Sequence, residues 1–448
     1  MRKRVLTIAA VCAGLLAILL VNNRLGVVQG QQQMRPGTGF AAVPGLKGGQ
    51  DVFGPYDPVP NWRKPLASGL PNHQGWTYSQ ATDVWAEPNR VIVAQKGELP
   101  VLPTGPQGRG GPATVWLPQV GPGIKFPVGG GVPLRETASA TPSCGDVPRP
   151  SPNPNCSPVA TDGSDGRPGV DWRWEHVIVE LDGNGNVLAN ATTEWAKHDK
   201  IWGRPHDVEI SAYDPQKRIW IVDADNHFVT VFSNDGKQRL LTLGTPGVPG
   251  DDDTHFRRPT FLAFMDANTM YLCDGYDNTR VIKFDMAGKK LMQWGEKGTT
   301  PNEKRPGFMN NVHGIAVNPR TRRVYINDRA NGRVQVFDEN GKYLDSWDLG
   351  PRPPMNIHTI YMADDGKLWA ADQGSHKMLG YDDKGNFLYS WGTFGTCEGC
   401  IWGVHGFMTD SNGNLFASSV RDGRVQKFTP RQGANPAFLM GKPWKGVW

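Results

Sequence analysis

A repeated pattern of four short strands predicts an all-β fold, a six-bladed β-propeller. Five repeats open at His206, Thr260, His313, His358 and His405, so successive openings are 54, 53, 45 and 47 residues apart. This period matches a four-stranded propeller blade. The 55 Gly and 37 Pro residues also suit a turn-rich β protein better than a helical one.

The strands within each repeat follow one order. After the opening strand comes a second strand ending in Asp, as in 219–223, 270–274, 324–328 and 368–372. A third strand ends in Phe or Tyr, as in 229–232, 281–284, 334–337, 378–381 and 425–428. Glycine-containing hairpins at 234–236, 339–341 and 383–385 then lead into a fourth strand.

A sixth unit precedes these five and opens at Thr82. Its second strand, 90–94, and its third, 176–180, are separated by an insertion at about 103–170 that is rich in Gly, Pro and Ser. Because neighbouring strands run antiparallel, the insertion leaves blade one on the face of the opening positions. Its composition fits a lid and a disordered decoration equally well. Residues 31–70 are expected to form an irregular lead, and 71–448 the propeller.

The first thirty residues predict export. Arg2, Lys3 and Arg4 precede an uncharged run at 5–21, which is typical of a signal peptide or an uncleaved membrane anchor. We therefore expect a periplasmic or extracellular protein, anchored to the membrane by residues 5–21 if the segment is retained.

Charge and cysteine content narrow the class further. The formal net charge of +5 is spread along the chain, so no basic patch indicates a nucleic-acid partner. In an oxidising compartment, Cys144 with Cys156 and Cys397 with Cys400 are local enough to form disulfides, whereas Cys273 has no evident partner.

Three opening residues, His206, His313 and His405, are histidines on blades two, four and six. In a closed ring their side chains meet near the axis at intervals of about 120°, and three imidazoles with an open fourth position favour zinc. The alternative is a polar ring lining the channel without a metal. His358 opens blade five and breaks the alternation, and we expect it to lie beside the ligands rather than among them.

Two further residues project from turns on the same face. Tyr276 follows the second strand of blade three, and Arg329 follows that of blade four. Neither is repeated in the other units, which makes both candidates for chemistry. The Asp before each turn does recur, and we expect it to accept hydrogen bonds from the turn amides.

From about residue 201 to 428 the chain resembles the peptidyl-α-hydroxyglycine α-amidating lyase family, a branch of the NHL-repeat six-bladed propellers. The resemblance rests on the histidine trio together with the segments 254–260, 274–280, 293–296 and 328–333. It implies zinc on His206, His313 and His405, with Tyr276 as base and Arg329 as the group that binds the substrate carboxylate. The implied reaction is cleavage of a carbinolamide to a peptide amide and glyoxylate.

The chain departs from the family at several positions. Lys96 stands where the family has a second active-site arginine. It can supply positive charge but not the planar pair of hydrogen-bond donors of a guanidinium group. Gly406 replaces an aspartate, which puts the family's structural calcium in doubt. Arg257 and Asp277 replace two cysteines that form a disulfide in the family, which predicts an ion pair between them.

The sequence thus predicts an exported zinc lyase whose substrate is a small molecule or peptide with a terminal carboxylate. The alternative is a non-catalytic NHL propeller that binds a protein or ligand on its histidine face. A calcium-dependent lactonase propeller fits poorly, because the opening residues are imidazoles and threonines rather than carboxylates.

Overall fold

Six antiparallel sheets surround a central channel in the computed structural model, which describes residues 52–101, 173–300, 303–350, 356–395 and 397–444. The six-bladed β-propeller predicted from the repeat is confirmed. The inner strand of blade six packs against that of blade one, which closes the ring. The expected export segment, the insertion and the Cys144–Cys156 pair lie outside the described residues.

Four blades contain the predicted four strands in simple antiparallel order. They are blade two (Pro205–Ile210, Ile219–Asp223, Phe228–Phe232, Arg239–Leu243), blade three (Leu262–Phe264, Thr269–Asp274, Arg280–Asp285, Lys290–Trp294), blade four (Val312–Asn318, Arg323–Asp328, Arg333–Asp338, Tyr343–Asp348) and blade five (Ile357–Met362, Leu368–Asp372, Lys377–Tyr381, Phe387–Trp391).

Blade one has three strands, Ala81–Glu87, Arg90–Gln95 and Ile178–Leu181, so the prediction of four strands in every blade is wrong here. The helix Ala189–Ala196 packs against the third strand instead. The fully buried Trp195 holds it there, donating from its indole Nε1 to Glu180 Oε1 at 2.7 Å. A buried indole needs such an acceptor, so this bond stabilises the helix at the outer position.

Blade six takes its outer strand from the other end of the chain. Val404–Thr409, Leu415–Ser419 and Val425–Pro430 are joined by Tyr56–Pro58, which pairs antiparallel with the last of them. Residues 31–70 were expected to be irregular, and the structure differs in placing this strand inside the propeller. This pairing covers the edge of Val425–Pro430 with a segment far away in sequence and completes blade six.

The remaining regular elements are short. Two-stranded sheets join Trp76–Tyr78 to Glu98–Pro100 and Glu296–Lys297 to Phe308–Met309, and 3-10 turns lie at Leu66–Ser68, Asp199–Ile201, Arg329–Asn331 and Pro436–Phe438. Among the described residues, no helix has the length and apolar character needed to cross a membrane.

Tryptophans of one blade cover the hairpin glycine of the next. A Cβ on Gly341 would lie 2.9 Å from the Trp294 ring, and one on Gly385 would overlap the ring of Trp347. Trp195 covers Gly236 in the same way, since a Cβ on that glycine would lie 2.8 Å from the indole. The blade-one helix therefore supplies the interblade tryptophan that an outer strand supplies elsewhere.

The cysteine predictions are tested in part. Cys397 and Cys400 form a disulfide in the loop before blade six, with their Cα atoms 5.1 Å apart. Cys273 is buried in blade three and makes no disulfide.

Candidate active site

The three predicted histidines meet at one end of the channel. His206, His313 and His405 are all buried, and their ring centroids are separated by 4.6, 4.9 and 5.2 Å. One ligand nitrogen of each lies within 4.8 Å of the other two. The ring of blades thus brings side chains that are far apart in sequence into a nearly equilateral group.

Each of these imidazoles is oriented by the backbone of the next blade. The Nδ1 to carbonyl distances are 3.0 Å for His206 to Thr260, 2.5 Å for His313 to His358 and 2.6 Å for His405 to Thr82. Because a carbonyl oxygen only accepts, Nδ1 must carry the proton in each ring. The Nε2 lone pairs remain to bind a metal or accept a proton.

The other three opening residues complete a circle of hydrogen bonds. Thr82 Oγ1 donates to Pro205 O at 2.6 Å, Thr260 Oγ1 donates to His313 O at 2.7 Å, and His358 Nδ1 lies 3.1 Å from Val404 O. Every opening side chain therefore bonds to the backbone of the following blade. This explains why each opening residue is a His or a Thr, since both side chains place a hydrogen-bond donor within reach of that backbone.

The three imidazoles are neutral at ordinary pH. Burial is the main cause that lowers the pKa of His206 and His313 well below the usual range, and it lowers the pKa of His405 to about 3. Neighbouring cations such as Arg204 and Arg329 act in the same direction on these pKa values. A neutral imidazole with a free Nε2 is the form that binds a metal.

Tyr276 contacts two of the three histidines. Its hydroxyl lies 2.9 Å from His206 Nε2 and 2.8 Å from His313 Nε2. Two guanidinium groups, those of Arg204 and Arg258, stand 4.9 and 4.8 Å from the centroid of its ring. The Asp before this turn, Asp274, accepts from the amide of Arg257 at 2.9 Å, which lies in the loop before blade three and not in the turn itself. The predicted bond to turn amides is made in blade five, where Asp372 accepts from the amides of Gly374 and Ser375 at 3.0 and 2.9 Å.

All of the predicted site residues except His313 line one cavity of about 260 Å³. Lys96 and Arg329 line it together with Tyr276, and the Arg329 Nε donates to Asn356 Oδ1 at 2.9 Å. The lining residues are Gln80, Thr82, Lys96, Arg204, His206, Tyr276, Arg329, His358, Gln373, His405, Val420 and Arg421. A cavity with four cationic side chains beside neutral imidazoles suits an anionic ligand.

His358 lies beside the trio and not within it. It is buried, and its ring centroid is 5.1 Å from that of His405, but it is absent from the group of converging ligand atoms. With the Gln373 amide oriented to satisfy its neighbours, its NH2 donates to His358 Nε2 and its oxygen accepts from Arg421. His358 therefore contacts Gln373 through Nε2 and stays outside the converging group.

Three arginines near the cavity were not predicted: Arg204, Arg258 and Arg421. The first two stand two residues before an opening position, in blades two and three, and both pair with Asp225 at 3.1 Å. Comparing the repeats at that offset would have singled out both residues, of which Arg204 lines the cavity and Arg258 stands over the Tyr276 ring. Arg421 follows a second strand, as Arg329 does, and the same comparison would have found it.

The positions at which the chain departs from the lyase pattern make contacts of their own in this structure. A Cβ on Gly406 would overlap Asp83 Oδ1, so the carboxylate beside this position comes from blade one. The predicted Arg257–Asp277 ion pair is wrong, because Asp277 Oδ1 instead lies 3.8 Å from Arg258 Nη1. Arg258 has a left-handed backbone with φ of 57°, which changes the direction of the chain at this residue.

Parts of this chain are similar to known proteins, although no protein-family model matches it. Peptidyl-alpha-hydroxyglycine alpha-amidating lyase 1 of Drosophila melanogaster is 27% identical over 268 residues, which are 55% of this chain and 48% of that protein. Peptidylglycine alpha-amidating monooxygenase of Rattus norvegicus is 32% identical over 172 residues, 38% of this chain but only 16% of the relative.

A third relative is NHL repeat-containing protein 3 of Mus musculus, 31% identical over 153 residues, which are 32% of this chain and 42% of that protein. The matched region thus spans less than half the length of each of these three relatives. The predicted resemblance is confirmed: in sequence the chain is similar to the peptidyl-α-hydroxyglycine α-amidating lyases and to NHL-repeat proteins, on a six-bladed propeller.

Proposed function

We propose that the protein is a zinc-dependent lyase that cleaves the C–N bond of a carbinolamide to give an amide and glyoxylate. The observation that carries the proposal is the contact of the Tyr276 hydroxyl with Nε2 of both His206 and His313. It places an acid–base group directly beside a three-imidazole centre. The relatives named as lyases support the same reaction class.

The donor set fits zinc. His206, His313 and His405 would hold the ion through Nε2, since backbone carbonyls occupy each Nδ1. Three protein ligands leave a fourth position open, as in catalytic zinc sites. When bound, zinc supplies Lewis-acid polarisation of the substrate oxygen and lowers the pKa of the substrate hydroxyl.

Tyr276 acts as the base in this proposal. Its ionised oxygen takes the proton of the carbinolamide hydroxyl while the C–N bond breaks. The electron pair of that bond leaves with the amide nitrogen, to which Tyr276 returns the proton, and the former hydroxyl carbon becomes the aldehyde of glyoxylate. Arg204 and Arg258 stand over the Tyr276 ring and hold it against the histidines.

Arg329 and Lys96 bind the substrate carboxylate. Arg329 offers a planar pair of donors, and its bond to Asn356 orients the guanidinium. Lys96 lines the same cavity and contributes a point charge. Holding the carboxylate there fixes the adjacent hydroxyl carbon relative to Tyr276.

The proposed location is outside the cytoplasm. The basic residues at 2–4 and the apolar run at 5–21 support export. The Cys397–Cys400 disulfide is consistent with an oxidising compartment.

The direct test is release of glyoxylate from an α-hydroxyglycine peptide by zinc-loaded protein, with metal content measured on the same sample. We expect turnover that is lost with a chelator and restored by zinc. Zinc-loaded protein without glyoxylate release would contradict the proposed reaction and favour the alternative, a propeller that binds a ligand on its histidine face.

A further inference from the structure

A second cluster of potential metal ligands lies outside the channel, at the flanks of the blade-one insertion. His73 precedes the strand Trp76–Tyr78, Glu98 begins the strand Glu98–Pro100, and Glu175 and His176 precede Ile178–Leu181. One ligand atom from each of the four residues lies within 4.8 Å of the others. Residues on both sides of the insertion therefore meet at one point.

Glu98 is the centre of this cluster. Its side chain is 0% exposed, and its two oxygens contact different imidazoles, Oε2 to His73 Nδ1 at 2.9 Å and Oε1 to His176 Nδ1 at 2.6 Å. Among the described residues, no lysine or arginine forms an ion pair with it. A buried carboxylate that has no lysine or arginine partner is costly, and a bound cation would offset that cost.

The two imidazoles face the same carboxylate, and their rings pack edge to face with centroids 4.7 Å apart. A divalent cation at this point would be held by both imidazoles and would neutralise the two carboxylates. Two imidazole nitrogens and two carboxylate oxygens form a four-coordinate donor set of the kind that zinc accepts.

The chain holds His176 in position for this role. His176 has a left-handed backbone with φ of 52°, and Asp199 accepts from the amides of His176 and Val177 at 2.7 and 3.1 Å. The more exposed Glu175 leaves the cluster open to solvent on one side. Metal could therefore enter without unfolding of the blade.

We propose that His73, Glu98, Glu175 and His176 form a second site for a divalent metal of the zinc type, separate from the channel trio. Bound metal would tie the residues just before the strand Trp76–Tyr78 to both flanks of the insertion. It would also brace the segment that carries Lys96, whose amide donates to Gln80 O at 3.1 Å. The proposal does not depend on the reaction catalysed in the channel.

Metal stoichiometry of the full chain tests this. Zinc-loaded wild-type protein and the His313→Ala, Glu175→Gln and His176→Ala variants are passed through a desalting column and analysed for zinc. We expect two zinc ions per wild-type chain and one in His313→Ala. In Glu175→Gln and His176→Ala, we expect affinity at the second site to fall by at least about 10- to 100-fold, with the channel zinc retained.

Cobalt substitution provides a second readout, since loss of one ligand changes the visible spectrum of that site alone. His255→Ala is the matched control, because His255 also contacts a carboxylate, Asp252, but lies outside both clusters. If His176→Ala fails to fold, the solvent-facing Glu175→Gln variant decides the question. One zinc ion per wild-type chain and none in His313→Ala would overturn the proposal.

Discussion

The two histidine clusters of this protein differ in the group that forms a hydrogen bond with the imidazole Nδ1. In the channel, uncharged backbone carbonyls of the next blade occupy each Nδ1, whereas at the insertion a single carboxylate, Glu98, contacts both. Three neutral imidazoles would leave the full positive charge of a divalent metal to act on a ligand. Two carboxylates would cancel it, which suits a structural role.

The largest expected effect comes from breaking the channel cluster alone. His313→Ala removes one of three ligands, so the channel zinc should bind at least about 100-fold more weakly, because even outer partners of ligands are worth 10- to 100-fold. Glyoxylate release should become undetectable. His176→Ala serves as the comparison and should keep turnover within a few-fold; equal losses in both variants would contradict the separation of the two clusters.

Tyr276→Phe should separate metal binding from chemistry. The substitution removes only the hydroxyl, so zinc content and thermal stability should stay near the wild-type values. Turnover should fall by about 10²- to 10⁴-fold, the usual loss when a general base is removed. The measurement is kcat alongside zinc per chain, and a variant that keeps full turnover would rule out Tyr276 as the base.

Arg329→Ala should act on substrates with a free carboxylate. Loss of a charged hydrogen bond worth about 1.5–3 kcal/mol predicts a fall in kcat/KM of roughly 10- to 150-fold. A substrate methyl ester is the control and should lose little, because it lacks the charge that Arg329 binds. Equal losses for acid and ester would show that Arg329 acts through structure and not through the carboxylate.

The smallest effect tests the hydrogen-bond circle. Thr260→Val keeps the side-chain shape but removes the Oγ1 donor to His313 O, and should cost about 1 kcal/mol of unfolding free energy with a weaker channel zinc. Thr230→Val is the matched control, since Thr230 Oγ1 donates to Leu241 O within blade two. It should lower stability without changing zinc affinity; equal zinc affinities in the two variants would contradict the coupling.

Most of the channel site could be predicted because the repeat carries the information. The openings at His206, His313 and His405 recur at one repeat position, so closing the ring brings them together wherever they stand in the chain. Arg204 and Arg258 were accessible to the same reasoning, since both precede an opening by two residues. A comparison of the opening positions alone does not include them, because Arg204 lines the cavity, and Arg258 stands over the Tyr276 ring, from the loop before the opening strand.

Blade one and the closure of blade six could not be predicted in the same way. The outer position in blade one is held by Trp195 on a helix, and that in blade six by Tyr56–Pro58 from the other end of the chain. Neither segment repeats the pattern of a fourth strand. The segment that occupies an outer position is selected by packing against residues far away in sequence. The local pattern of residues does not indicate which residues those are.

The sequence by itself determined the all-β class, the six units and the histidine trio, because strand alternation and repeat spacing are local properties that closure of the ring converts into geometry. Only the tertiary structure decided which nitrogens face the channel axis, because this depends on carbonyls supplied by the next blade. The tertiary structure alone also brought His73 and Glu98 close to His176. Their proximity could not be read from the sequence, because a long insertion separates them.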